Sequence, residues 1–457
     1  MADPVPARSN GAAGLPAPPL LPLWPLFLMF GLVPIWWATG SFYLGWSGFG
    51  VLLLVLMLTR GRVPLPPGTA LWLLFLALVV LSATQLQSAV NLLTFGLRLG
   101  FYLTALMVGI YVYAAARERT DVVPVLSPLA AFWLSLVALG WLGVVAPRFG
   151  MATPMEVLLP GGVASNPFIQ DIVHLRTSEY SERSLNPVYR PAAPFAYTNN
   201  YGSAYTMTLP CMVALTLLRR PGFLRTVLLC SLPLSLPPAF LTLNRGMFLS
   251  LGAGLAVLGV QAMLRGNVRV AASIAGVVAL AGTATFFIPI TDLINSRVSA
   301  SNTNTDRMAL YTEVLRRVGE SPWLGFGAPV DVDTVSADAP IGTQGQLWMV
   351  LFSHGVPALV CFLGWFVVAL VFCLRAPSAA GQWLGVVPLI CLVQVPFYGM
   401  ANQNLAVAFF AICFAMALVE QERAASSGPV PHSLPGFPAA APGPGVPLAQ
   451  LARGGRR

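Results

Sequence analysis

Apolar runs of roughly 17–25 residues recur from residue 23 to residue 420, separated by short stretches rich in Arg, Pro and Gly. Each run is long enough to cross a bilayer as a helix. The pattern predicts spans near 23–39, 42–59, 69–87, 97–115, 124–146, 201–218, 226–243, 247–264, 270–289, 347–374, 381–398 and 402–420. Residues 1–22 and 421–457 carry no such periodicity and are expected to be disordered tails. Two long polar intervals remain, 147–200 and 290–345. Intervals of that length are usually functional or disordered.

Composition agrees with the pattern. The chain is 56% hydrophobic and 9% charged, with a mean hydropathy of +0.75, whereas a soluble domain carries about a quarter charged residues. The expected fold is an all-α integral membrane protein of about twelve transmembrane helices. Arginine then orients it. With the N-terminus inside, the inner connections hold Arg60 and Arg62, Arg117 and Arg119, Arg219, Arg220 and Arg225, Arg265 and Arg269, Arg375, and Arg423. The short connections near 40 and 400 hold none. Positive charge marks the cytoplasmic side, so both termini are expected in the cytoplasm, with the two long intervals outside.

All 25 basic residues are arginine, and the net charge is +9. That excess reads as topology and contact with anionic membrane lipids rather than nucleic-acid binding, because no basic tract is interleaved with stacking aromatics. The six cysteines have no metal-ligand spacing and read as small core residues, and the three histidines are scattered. No metal and no cofactor are expected. A major-facilitator carrier would need two similar halves and a long inner loop after span six. Here that connection is RRPGFLR and the long intervals lie outside.

Four stretches carry chemistry. RPAAPFAYTNNYGSAYTMTLP places Arg190 and Asn200 ahead of a span, and LTLNRGMFLSLG places Arg245 in a tight turn between two spans. DRMALYTEVLRRVGESPWLGFG opens an amphipathic helix at Arg307 and ends in a Pro-x-x-Gly-x-Gly turn. QGQLWMVLFSHGVPALVCFL runs eleven residues from Gln344 to Gly355. In order and spacing, over about a third of the chain, these stretches resemble the O-antigen ligase and O-antigen polymerase superfamily of bacterial membrane glycosyltransferases.

The resemblance implies a C-type glycosyltransferase architecture in the bacterial cytoplasmic membrane. It also implies transfer, with inversion, of a glycan from a polyprenyl diphosphate to the hydroxyl of a glycan or lipid acceptor on the outer face. Arg245, Arg307 and Gln344 then fall at catalytic positions, and Arg190 and Asn200 at substrate-binding ones; Arg98, outside these stretches, is a substrate-binding candidate as an intramembrane charge alone. Gln344 stands where the family usually has histidine, and an amide cannot act as a general base. A transporter or non-catalytic binder of lipid-linked oligosaccharide is the alternative.

Each residue also has a plainer reading. Arg245 suits a diphosphate because its planar fork donates two parallel bonds, yet an arginine at that depth also snorkels to lipid headgroups. On a wheel of 100° per residue, Met308, Tyr311, Val314, Leu315 and Val318 lie within about 100° of Arg307, which predicts Arg307 facing inward. Arg316 and Arg317 then form a solvated face. Arg98, within TFGLRLGFY, is an intramembrane charge and hence a candidate site, or a helix anchor. Arg190 and Asn200 serve equally well as loop hydrogen-bonding residues. His354 lies roughly 15 Å along the helix axis from Gln344 and reads as a satisfied packing histidine. Asp331, Asp333 and Asp338 read as a solvated acidic loop, and His174 has no motif around it.

Overall fold

A computed structural model describes residues 20–86, 88–164, 166–181, 188–287, 303–330 and 341–426; a few side chains within these segments, including 303–307, fall outside the description. The acidic stretch with Asp331, Asp333 and Asp338 lies outside it, as do most of both tails.

The described chain is mostly helical: α1 Phe42–Arg60, α2 Thr69–Ser82, α3 Ala89–Arg117, α4 Val123–Val145, α5 Thr198–Leu218, α6 Phe223–Leu241 and α7 Arg245–Arg265. These are followed by α8 Val268–Phe287, α9 Thr303–Val318, α10 Gln346–Cys373, α11 Ala379–Gly385, α12 Val387–Gln394 and α13 Gln403–Ser426. Among the described residues, eight helices are long and apolar enough to cross a membrane (α1, α3–α7, α10 and α13), and the protein is a multi-pass membrane protein. Three shorter apolar helices, Thr69–Gln85, Val268–Ala279 and Ala379–Gln394, match three more predicted spans.

Two predicted spans are divided into separate helices, and a third, 347–374, is broken at Gly355. The run 23–39 is broken into Trp24–Leu26, a π-helical Phe27–Gly31 and Val33–Ala38. Pro34 supplies no backbone N–H to the ladder, and Gly31 adds no side-chain support for a straight helix. The run 381–398 divides at Val386, where Gly385 meets Pro388 in the next turn.

Packing sorts the helices into centre and rim. Helices α5 and α13 are buried around almost their whole circumference, the behaviour of helices at the middle of a bundle. Helix α13 packs on α3 and α5, α2 on α10, α4 on α6, and α7 on α12. The rim exposes Leu54, Leu58, Leu229, Leu234, Leu249, Met263 and Leu264, an apolar belt of the kind lipid covers. Five cysteines are buried as expected, but Cys230 is exposed on this rim.

Interval 147–200 is folded rather than irregular. Gly150–Met151 pairs antiparallel with Leu175–Arg176, and Ser178–Ser181 with Val188–Pro191. Thr153 begins a short helix with a capping box closed by Glu156, and Met155 N–H donates to Thr39 O at 3.1 Å. The interval is thereby tied to the start of the bundle.

The bundle's two ends differ in chemistry. At one end, Arg60 pairs with Glu118, Arg117 Nη1 lies 3.1 Å from Glu420 Oε2, and Arg265 Nη2 donates to Leu374 O at 2.9 Å. At the other end, the connections near 40, 242–246, 319–330 and 395–402 and the described parts of 147–200 meet through glycines, amides and tyrosines.

Candidate functional site

The 395–402 connection is the hub of this second end. Two backbone bonds dock the start of α10 on it: Gln346 N–H to Tyr398 O at 2.8 Å and Leu347 N–H to Val395 O at 2.9 Å. The Gln346 side chain is fully buried. Its Oε1 accepts from Met400 N at 2.7 Å and Ala401 N at 2.8 Å, and its Nε2 donates to Tyr102 OH at 3.0 Å. Every polar atom of that amide has a partner, which is what burial requires.

Arg245 reaches the hub from another direction. Asn244, buried, caps α7 by accepting from Met247 N at 3.1 Å, as an N-cap asparagine does. Tyr398 OH donates to Asn244 Oδ1 and accepts from Gly246 N–H at 2.8 Å. A Cβ at position 246 would sit 2.6 Å from the Tyr398 ring, so only glycine admits that tyrosine. Arg245, between these two residues, is exposed and has no hydrogen bond or ion pair among the described residues. It occupies the first turn of α7. A cation there faces the positive end of the helix dipole, an arrangement that an anion relieves.

The amphipathic helix α9 also docks here. Tyr311 OH donates to Pro396 O at 3.3 Å, and its ring stacks on Trp348 with centroids 4.4 Å apart. Trp348 Nε1–H donates to the same carbonyl at 3.1 Å. Leu310 and Val314 are buried, whereas Met308 and Leu315 are exposed. The buried face is therefore narrower than the sequence reading, which placed Met308 and Leu315 on it. Helical spacing puts position 307 in line with Val314 and Val318; the Arg307 side chain itself lies outside the described residues. Arg316 is exposed and forms a bidentate pair with Glu313, which holds that carboxyl below its ordinary range. Arg317 is half-buried and reaches Glu313 at 3.4 Å.

Gln344 is half-buried just ahead of α10, and neither amide atom has a partner among the described residues. Two residues apart, Gln344 and Gln346 thus do different work. One is free at the hub; the other holds it together. Sequence reasoning passed over Gln346, and nothing in its local pattern distinguishes it.

Arg190 and Asn200 sit at the entry to α5. Arg190 is buried, with Nη2 2.7 Å from Glu179 Oε1 across the strand pair. Glu179 Oε2 accepts from Thr198 N at 2.8 Å, so the pair anchors the N-terminus of α5. Asn200 is buried, and its carbonyl accepts from Asn404 Nδ2 at 3.0 Å. Asn199 O receives Asn244 Nδ2 at 3.5 Å, which ties this entry to the Arg245 turn. Nearby, Tyr197 donates to Asp171 at 2.8 Å; burial first, and that carboxylate second, push its phenol well above the ordinary range. His174 bonds Glu156 at 2.9 Å.

The last piece is a break in α10. Gly355 has φ 81° and ψ 179°, a conformation that side chains avoid. The Pro-x-x-Gly-x-Gly turn fills the break: Phe326 N–H donates to Phe352 O at 2.9 Å, and Gly327 N–H to Ser353 O at 2.8 Å. Val356 N–H returns a bond to Pro322 O at 2.8 Å. Beside the break, Arg98 Nη1 reaches Ser353 Oγ at 3.5 Å, and Ser82 Oγ lies 2.7 Å from His354 Nδ1. His354 was expected to be a satisfied packing residue. Its Nε2 is instead buried without a partner among the described residues.

The elements carrying all six candidates therefore converge on one end of the bundle. Arg245, Gln344 and α9 meet at 395–402, Arg98 stands one turn before Tyr102 beside it, and Arg190 and Asn200 brace the entry to α5. The chain matches no protein-family model and no curated protein.

Proposed function

We propose that the protein is a membrane glycosyltransferase of the O-antigen ligase and polymerase kind. In this reading it transfers a glycan from a polyprenyl diphosphate carrier to an acceptor hydroxyl at the amide-rich end of the bundle. The supporting observation is the convergence just described: four stretches that resemble the superfamily, far apart in sequence, come to one end of the bundle, three of them at the hub. The reading places about twelve spans in a C-type arrangement in a bacterial cytoplasmic membrane. The arginine-rich turns and both termini face the cytoplasm, following the positive-inside bias.

The chemistry follows from the residues. The anomeric carbon is already activated by its diphosphate, so the protein must orient the acceptor and stabilise charge on the departing phosphates. Arg245, exposed at a helix N-terminus with no acid beside it, meets that charge with a planar fork. Arg307 joins it from α9. The acceptor oxygen bonds to the anomeric carbon as the carbon–oxygen bond to the diphosphate breaks, with inversion. Gln344 holds a hydroxyl or a phosphate oxygen and takes no proton; the acceptor's proton passes to the departing diphosphate. Arg98, Arg190 and Asn200 complete substrate binding, the last two by bracing the entry to α5.

The test is direct. Purified protein is given a polyprenyl diphosphate-linked oligosaccharide, and release of free polyprenyl diphosphate is followed. Turnover in the wild type and its loss in both Arg245→Ala and Arg307→Ala is the expected result. Tight binding without turnover would sink the enzymatic reading and leave a carrier or receptor of lipid-linked glycan.

A further inference from the structure

Arg98 and His354 present a matched anomaly. Arg98 sits in a long apolar helix, and its sole hydrogen bond among the described residues is the 3.5 Å contact to Ser353; it forms no ion pair there. An uncompensated guanidinium in a bundle is costly. His354, the residue next to Ser353, is 1% exposed and enclosed by the rings of Phe75, Phe95 and Tyr102, yet its Nε2 has no partner among the described residues. A phenylalanine would fill such a cage without leaving a nitrogen unsatisfied. A buried polar group without a partner calls for an explanation, and a ligand that meets it is one.

Ser82 explains how the nitrogen can change role. Its hydroxyl oxygen lies 2.7 Å from both Val79 O and His354 Nδ1, and it has one proton to give. Given to Val79 O, that proton leaves Nδ1 protonated and Nε2 a bare acceptor. Given to Nδ1, it makes Nε2 a donor. The tautomer is set by what meets the other nitrogen, and an anion selects the donor.

We propose that Arg98, Ser353 and His354 form an anion subsite that takes one phosphate of a lipid-borne diphosphate, with Ser82 selecting the imidazole tautomer. The identity of the diphosphate rests on the glycosyl-transfer reading; the anion site itself does not. The broken helix end at Gly355 fixes Ser353 and His354, because the turn 322–327 locks the backbone of Phe352, Ser353 and Val356; Arg98 meets them from α3. His354 acts here as a binding residue and not as the base.

The experiment uses farnesyl diphosphate as probe and the purified full chain in detergent, with binding followed by tryptophan fluorescence and folding by thermal melting. Arg98→Gln and His354→Phe are each expected to raise Kd roughly tenfold, the loss of one charge-assisted contact, and Ser82→Ala a few-fold. His354→Phe should melt no lower than wild type, since it removes the unsatisfied nitrogen. If both variants bind the probe as wild type does, the subsite is overturned and His354 is packing. If phosphatidylglycerol displaces the probe at equal concentration, the diphosphate assignment falls. Binding lost in these variants, in a protein that releases no polyprenyl diphosphate in the turnover assay, would instead leave the subsite standing and overturn only the enzymatic reading.

Discussion

The two ends of the bundle solve the same physical problem by different means. Each must satisfy the backbone groups left over where helices stop. The arginine end does so with charge. Arg265 donates to the carbonyls of Leu374 and Ala376, Arg119 to those of Ala115 and Leu21, and Arg60 and Arg117 pair with Glu118 and Glu420. The amide end does so with neutral side chains: Gln346, Asn244, Asn404 and Tyr398. Arg190 is also used there, paired with Glu179 at the entry to α5, but the hub itself needs no cation. Arg245 and Arg98, which have no acid partner among the described residues, are therefore left over from the architecture. A charge that the fold does not use is the mark of a site.

That contrast is sharpest for Arg245. Its replacement by alanine should lower turnover about a hundredfold or more, the usual cost of removing a preorganised group that stabilises developing charge. The melting temperature should hardly move, since exposed substitutions away from caps and cores stay within about 0.5 kcal/mol. A parallel fall in both would make Arg245 structural and erase the difference between the ends.

At the arginine end the expectation reverses. Glu118 pairs with buried Arg60 and also accepts from Leu21 N at 3.4 Å. Glu118→Gln leaves Arg60 uncompensated and should destabilise by about 3 kcal/mol. The double change Arg60→Met with Glu118→Met should recover most of that loss, because a buried ion pair is worth little more than well-packed apolar residues. Affinity for farnesyl diphosphate should be unchanged throughout. A loss of affinity would mean that the two ends are coupled.

Within the amide end, a second contrast separates holding from acting. Gln346→Leu strands Met400 N, Ala401 N and the Tyr102 hydroxyl in a buried place, a cost on the order of 2 kcal/mol, read as a lower melting temperature. Gln344→Ala should leave melting unchanged and reduce turnover roughly tenfold, about one hydrogen bond to a charged group. These two glutamines also show how far the sequence could be read. The apolar helices, the arginine-marked end, the amphipathic helix and the glycine-rich turn were legible, because each is a local pattern, although not every predicted span is one straight helix. The role of Gln346 was not, because it depends on a connection some fifty residues away, Met400 and Ala401. The same holds for His354, whose partner Ser82 is 272 residues distant. The break in 23–39 was missed for another reason: hydropathy counts apolar residues and is blind to the missing N–H of Pro34.

The smallest effect belongs to α9, where surface charge and docking face can be told apart. The guanidinium of Arg316 holds the Glu313 carboxyl below its ordinary range. A carboxyl depressed in the folded state adds stability that is present above the unfolded value and lost as pH falls through the folded one. Glu313→Gln should therefore lower the melting temperature slightly at pH 7, by about one degree or less, with the difference vanishing in acid. So small a loss is expected because exposed pairs are screened by water and salt. Tyr311→Leu, which removes the bond to Pro396 and the stacking on Trp348, should cost more than the ion pair at every pH. If the Glu313 variant proved the more damaging, α9 would be held by its charges rather than by its seat on the hub, and position 307 would lose the fixed register that the site requires.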